Sequence, residues 1–444
     1  MLFSAHDLLD WLRPATALLR PPAEELPPLV QELFGREHLE LHARDLGLAH
    51  GEVRRGGRNR LLPRLADNAR FIAGAHEALS ALAASGGRVP PAGEWLLDNH
   101  HVVEEQARIA RHHLPRSYSR ELPLLTRGAS AGLPRVYVIA LEFITHVDGR
   151  IDSGMLQAFL ATYQERRPLT LGELWGLPIM LRLALLESLR RIAARLLRFV
   201  TDHIAAGVWA ERLIGEAERA SHEVILIVAD LARSGHKLSS PFVAELLRRL
   251  QGQTAAVAPA LSWIESSLVS RGLTTEAVVL SESSLQASDQ ISIAHAIGSL
   301  RQLDAIDWDD FVEGQSVDER ELRGDPAAAY AGMAFISRDR YRHAIEDIAR
   351  RSPRSEVEVA ALAIGLARTA QAAGETRRSH VGAWLVDPSG LAILETAAGA
   401  RRAWRRLVRD LLRAAPLAAY LGLALLFTAA AVLLLDSTAT GLAW

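Results

Sequence analysis

Leu169-Thr170-Leu171-Gly172-Glu173 opens the stretch that decides the fold. It has the form of a capping box: the Thr170 hydroxyl can accept the amide three residues on, while Glu173 reaches back to the Thr170 amide. Downstream, Met180–Val200 carries apolar residues every three or four positions, the spacing of one helix face. Ser240-Pro241 with Glu245, and Ser352-Pro353 before Ser355-x-x-Glu358, repeat the cap-then-proline start. Phe242–Leu250 and Tyr341–Arg351 continue the helical period. Strand signals are scarce. The best is Val381–Asp387, then Pro388-Ser389-Gly390, then Leu391–Glu395, which reads as a β-hairpin around a turn. The predicted fold is mostly α: a multi-helical body with one small hairpin at about 381–395.

Breaks at Pro21-Pro22, Pro27-Pro28, Arg54–Asn59, Ser85–Gly93 and Gly128–Pro134 suggest an N-terminal helical region over 1–90 and a larger helical body over 91–400. The chain has 444 residues, 49% of them hydrophobic and 23% charged, enough for sizeable cores. A formal net charge of -2 gives no pull toward nucleic acid. With no cysteine, disulfides, iron–sulfur clusters and thiolate zinc sites are excluded, and a reducing compartment fits. Met1–Asp7 lacks the basic start and apolar run of a signal peptide.

Basic character is local. Arg401, Arg402, Arg405, Arg406, Arg409 and Arg413 face a single acid, Asp410, within 401–415. Trp404, Leu407, Val408 and Leu411 fall at i, i+3, i+4 and i+7, so the segment reads as an amphipathic helix in the headgroup layer. An uncharged apolar run, 416–435, follows directly. At about 20 residues and 1.5 Å each it spans roughly 30 Å, the thickness of a bilayer core. The arginine bias places the preceding residues in the cytoplasm and the tail 436–444 on the far side.

Local motifs give no active site. Asp307-Trp308-Asp309 has the Asp-x-Asp form that holds a metal and a nucleotide diphosphate in glycosyltransferases, but it reads as a helix cap with acidic first-turn residues. His38 and His42 have metal-compatible spacing, in the wrong order for a zinc-protease helix, and read as a solvated face. Asp98, His101, Glu105, Arg108 and His112 follow i, i+3 or i+4 spacing and form one polar stripe, read first as a surface held by intrahelical ion pairs and otherwise as metal- or ligand-binding; the candidate ligand or docking surface is Trp95, Asp98, His101, Glu105 and Trp175. In His146-Val147-Asp148-Gly149-Arg150-Ile151-Asp152, Gly149 reads as a helix C-cap and Asp152 as the next N-cap, not as a calcium loop. Phosphate loops and nucleophile elbows are missing. No catalytic residue and no metal ligand is assigned.

Longer phrases say more. Gly93-Glu94-Trp95-Leu96-Leu97-Asp98-Asn99, Val103-Glu104-Glu105-Gln106, Pro134-Arg135-Val136-Tyr137, His146-Val147-Asp148-Gly149-Arg150 and Pro168-Leu169-Thr170-Leu171-Gly172-Glu173-Leu174-Trp175 resemble the N-terminal region of bacterial cyclic β-1,2-glucan synthases. So do Pro178-Ile179-Met180-Leu181-Arg182-Leu183, Leu322-Arg323-Gly324-Asp325-Pro326, Ser337-Arg338-Asp339-Arg340-Tyr341-Arg342-His343 and His380-Val381-Gly382-Ala383-Trp384-Leu385-Val386-Asp387. His100 stands where the resemblance expects an aromatic residue. The resemblance implies a large bacterial inner-membrane enzyme with UDP-glucose as donor, a cytoplasmic glycosyltransferase domain between membrane helices, a phosphorylase-like region and a periplasmic osmoregulated glucan as product. The glycosyltransferase signature Gln-x-x-Arg-Trp is missing from this sequence. UDP-glucose and a divalent metal are therefore expected only for a glycosyltransferase domain of the same or a split polypeptide, and no cofactor for this chain itself. The expected role is a membrane-anchoring N-terminal module, with the membrane and that catalytic domain as partners. A free-standing single-pass scaffold or regulator is the alternative. Trp95, Trp175 and Trp384 read first as core residues and otherwise as platforms for sugar stacking.

Overall fold

The computed structural model describes residues 33–401 apart from 58, 59, 85, 115–120, 220–222, 235–237 and 254, together with 420, 421, 425 and 427–430. The described elements begin with α1 (Arg36–Ala49), β1 (Val53–Arg54), α2 (Leu61–Ala84), α3 (Pro91–His113) and β2 (Leu124–Leu125). There follow α4 (Arg135–His146), α5 (Ser153–Gln164), α6 (Leu171–Arg219), α7 (Val224–Arg233), α8 (Ser240–Leu250), α9 (Ala258–Val269), α10 (Thr275–Gln302) and α11 (Trp308–Gln315). The last group is α12 (Val317–Leu322), α13 (Phe335–Arg351), α14 (Glu356–Ala372), α15 (Gly382–Leu385) and α16 (Pro388–Ala397). The protein is mostly helical.

The axis of the first compact unit is α6, 49 residues long, about 70 Å at 1.5 Å per residue. It starts where the sequence says it should. Thr170 Oγ1 accepts the Glu173 amide at 3.3 Å, and Glu173 Oε2 accepts the Thr170 amide at 2.9 Å. Helices α2, α3, α4, α8 and α10 pack along it. Two hydrophobic cores result: one around α2–α6 and α10, which ends on α6 at Ile204, and one with α7–α9, which begins at Ala205. One helix thus supplies both cores.

Other caps also stand as read. Asp307 Oδ1 accepts the amides of Asp309 and Asp310, both at 3.1 Å, so the Asp-x-Asp motif starts α11. Asp152 caps α5 through the Met155 amide at 2.8 Å. Gly149 has φ 73° and its amide closes on Ile144 O at 2.9 Å, ending α4. Ser355 and Glu358 form a second reciprocal capping box.

One expectation is corrected. The hairpin at 381–395 is instead two helices, α15 and α16. Pro388 sits in the first turn of α16, where its missing amide costs nothing. Gly390 lets that helix approach α15 so closely that a Cβ would collide with Ala383 O. The two-stranded sheet lies elsewhere: Val53 pairs with Leu125 and Arg54 with Leu124, antiparallel. The chain forms two compact units, the first ending at Gln315 and the second beginning at Ser316. In the first, α2 and α3 pack on each other and share the first core. At 315 the partners change: α11 packs on α5 and α6, whereas α12 packs on α14.

The second unit closes around Leu322, Tyr330, Ile345, Ile348, Val359, Ala363, Trp384 and Leu394. Its centre is charged. Arg342, fully buried, donates to Glu319 Oε2 at 2.8 Å, and the Tyr330 hydroxyl donates to the same oxygen at 2.6 Å.

Of the arginines within 401–413, Arg401 is described: its amide donates to Arg351 O at 2.9 Å. Arg402, Trp404, Arg405, Arg406, Arg409 and Arg413 lie outside the described residues, as do the tail and most of 416–435. Tyr420, Leu421, Leu425 and 427–430 are helical and exposed. Among the described residues, no helix is long and apolar enough to cross a membrane.

Candidate functional site

In the first unit, α6, α8, α10 and the start of α3 line a half-open cavity of about 250 Å³. Leu196, Phe199, Pro241 and Leu285 make it apolar on one side; Arg195, Asp202, Ser239, Glu282, Gln286 and Asp289 line the other. These polar groups are fixed by one another. Arg195 Nε donates to Asp289 Oδ1 at 2.8 Å, Ser239 Oγ to Asp202 Oδ2 at 2.6 Å, and Gln286 Nε2 to Glu282 Oε1 at 3.0 Å. Burial pushes the Glu282 carboxyl up, the Gln286 amide opposes this, and the Asp289 and Asp202 charges add to it. The volume falls just short of small-molecule pockets, about 300–1,000 Å³. None of these residues was singled out from sequence as part of a site; Pro241 was read only as a helix start. Arg195, Phe199 and Asp202 on α6, with Glu282, Gln286 and Asp289 on α10, follow helical spacing that looks like a solvated stripe.

The residues named from sequence divide. Trp95, Asp98, His101 and Glu105 are exposed along one face of α3. Their neighbours on the other face do the packing: Asn99 Oδ1 accepts Arg301 Nη2 at 2.6 Å, and Gln106 Nε2 donates to Asp304 at 2.9 Å. Trp175 packs against the first core from α6, and Trp384 is buried in the second with its Nε1 donating to Arg378 O at 3.0 Å. Trp95 is therefore the one of the three whose ring faces solvent, at 37% exposure. His100 stacks on His76 with ring centroids 4.0 Å apart, a flat ring where the resemblance expected an aromatic one.

The phrases that carry the resemblance meet in pairs. Arg135 donates to Glu173 through Nε at 2.9 Å and Nη2 at 2.5 Å, and to Pro168 O at 3.1 Å. Burial would depress the guanidinium's basicity, and the Glu173 carboxylate outweighs it. Arg182 donates to Gln106 at 2.8 Å and pairs with Asp304. Asp325 takes His380 Nδ1 at 2.8 Å and the Val381 amide at 2.9 Å, while His380 Nε2 lies 3.3 Å from the Tyr341 hydroxyl. Asp148, of the His146–Arg150 phrase, instead meets residues outside the phrases: it takes Ser292 Oγ at 2.5 Å and His295 Nδ1 at 3.3 Å.

Sequence reasoning also missed a three-residue cluster. His42 does not work with His38. Its Nε2 lies 3.2 Å from Glu142 Oε2, and His146 Nε2 lies 3.6 Å from the same oxygen. Glu142 and His146 are one turn apart on α4, a spacing that was there to be read.

No family model matches the chain. The chain is similar to the cyclic β-(1,2)-glucan synthase NdvB of Rhizobium meliloti (strain 1021), 32% identical over 348 residues. Those residues are 78% of this chain and 12% of that protein, so the chain spans a small part of the relative's length. The matched length bears out what the paired phrases suggested: the chain is a glucan-synthase-related protein.

Proposed function

We propose that this chain supplies the cytoplasmic helical module and first membrane helix of a cyclic β-1,2-glucan synthase in a bacterial inner membrane. Its work is to anchor and to dock. Chemistry on UDP-glucose, with a divalent metal, belongs to a glycosyltransferase domain of the same or a split polypeptide. The observation that carries this reading is the paired phrases: Arg135 with Glu173, Arg182 with Gln106, and Asp325 with His380 hold their elements together. The exposed stripe Trp95, Asp98, His101 and Glu105 offers the docking face. Membrane insertion is supported by Tyr420, Leu421, Leu425 and Phe427, helical and 55–74% exposed. Deleting the gene should abolish cyclic β-1,2-glucan in the host, and re-expression should restore it. A periplasm-dependent phosphatase should be active when fused after Trp444 and silent when fused near Gly390. Unchanged glucan would favour the free-standing scaffold; the opposite fusion pattern would refute the topology.

The cavity beside Phe199 favours a second reading, direct contact with a sugar. Saturable binding of a β-1,2-linked glucose oligomer, lost on Asp202→Asn, supports it, and its absence refutes it.

A further inference from the structure

We propose that His42, Glu142 and His146 bind a divalent transition metal of the zinc type, which staples α1 to the end of α4 and keeps one coordination position open to solvent. The three ligand atoms lie within 4.8 Å of one another. Zinc bonds of about 2.0–2.1 Å in tetrahedral geometry separate ligand atoms by about 3.3 Å. The two edges that meet at Glu142 Oε2, 3.2 and 3.6 Å, already match. Both imidazoles present Nε2 to one carboxylate oxygen. With a metal in place, the two Nε2 lone pairs and the carboxylate oxygen would supply three ligands to it.

The surroundings suit a bound cation. The side chains of His42, Glu142 and His146 are 26%, 22% and 10% exposed, sheltered yet reachable from solvent. Phe34 stacks on the His146 ring, with centroids 4.1 Å apart and 4° between planes, and stands edge-on to His42 at 5.7 Å. The Phe34 amide donates to His146 O at 3.0 Å, so the segment before α1 is tied to the ligand-bearing turn. An apolar collar of this kind limits competition by water. There is also a structural need. Helix α1 buries only Leu39, Ala43 and Gly47, a thin seam for a helix of 14 residues.

The test uses the full chain in detergent, stripped with chelator, and zinc alone as the probe in calorimetry. One equivalent should bind and raise the melting temperature. His42→Ala and His146→Ala should each weaken binding by at least about tenfold, the scale at which even outer-shell losses register, and abolish the thermal shift. Cobalt should give the visible absorption of a four-coordinate site in the wild type and lose it in both variants. His112→Ala, on the exposed face of α3, should bind like the wild type. Far-ultraviolet circular dichroism checks folding, and Glu142→Gln, which preserves side-chain shape, gives the answer if a histidine variant unfolds. No saturable binding, or binding unchanged in His42→Ala and Glu142→Gln, overturns the proposal. The glucan reading rests on other residues, so either can fail alone.

Discussion

Glu173→Ala removes a carboxylate with two duties. Glu173 is fully buried and grips Arg135, itself only 5% exposed, through bonds of 2.9 and 2.5 Å. Its Oε2 also accepts the Thr170 amide at 2.9 Å and closes the capping box of α6. Leaving a buried charge without its partner costs about 3–5 kcal/mol. Losing a cap costs about 1 kcal/mol. Both duties fall to one carboxylate and overlap, so the expected loss is about 4 kcal/mol, a large share of the roughly 5–15 kcal/mol that holds a domain folded. Arg135→Met with Glu173→Gln removes the charge pair yet keeps an acceptor for Thr170, and should recover more than half of that loss. The assay is urea unfolding of the detergent-solubilised chain, followed by circular dichroism and by tryptophan fluorescence, since Trp175 lies in the same turn of α6. A loss under about 1 kcal/mol in Glu173→Ala would refute the reasoning, as a buried unpaired guanidinium cannot be that cheap. A double variant no better than the single one would show that the guanidinium's desolvation is not the cause.

Burial, and then the Arg135 charge, pushes the His50 imidazole from 6.5 down to about 4. Between those values the unfolded chain takes up a proton that the folded one refuses, so stability should fall as pH drops from 6.5 toward 4, by at most about 3 kcal/mol. Thermal melts across that range check it, and His50→Gln should flatten the slope. Gly390→Ala should destabilise the second unit by about 1–3 kcal/mol through its collision with Ala383 O; a neutral result in thermal melts would reopen the hairpin. Ser355→Ala should cost about 1 kcal/mol by loss of the capping box, measured by urea unfolding. A truncation ending at Arg413 should bind anionic vesicles and release with salt, each basic residue adding about 1 kcal/mol, whereas one ending at Ala400 should not. Equal binding by both would place the contact on the helical body.

Local signals were legible because their chemistry closes within one turn. Thr170 with Glu173, Ser355 with Glu358, and Asp307 with its two amides are hydrogen bonds between residues two or three apart, written side by side in the chain. Pro388-Ser389-Gly390 failed as a turn because proline and glycine have two uses. What separates a hairpin from a helix start there is the proximity of Ala383 O, a tertiary fact. His42 and Glu142 are 100 residues apart, and Arg195 and Asp289 are 94 apart, so the cavity's ion pair has no local signature and the cluster shows only the Glu142–His146 half of its own. The phrases of the resemblance lie between these extremes. Each is short and separately weak, yet Arg135 reaches Glu173 across 38 residues, Asp325 reaches His380 across 55, and Arg182 reaches Gln106 across 76. A chain that kept Arg135 without Glu173 would bury a lone charge at about 3–5 kcal/mol. For the buried ion pair, then, one phrase requires the other, and partners far apart in sequence carry information that neither holds alone.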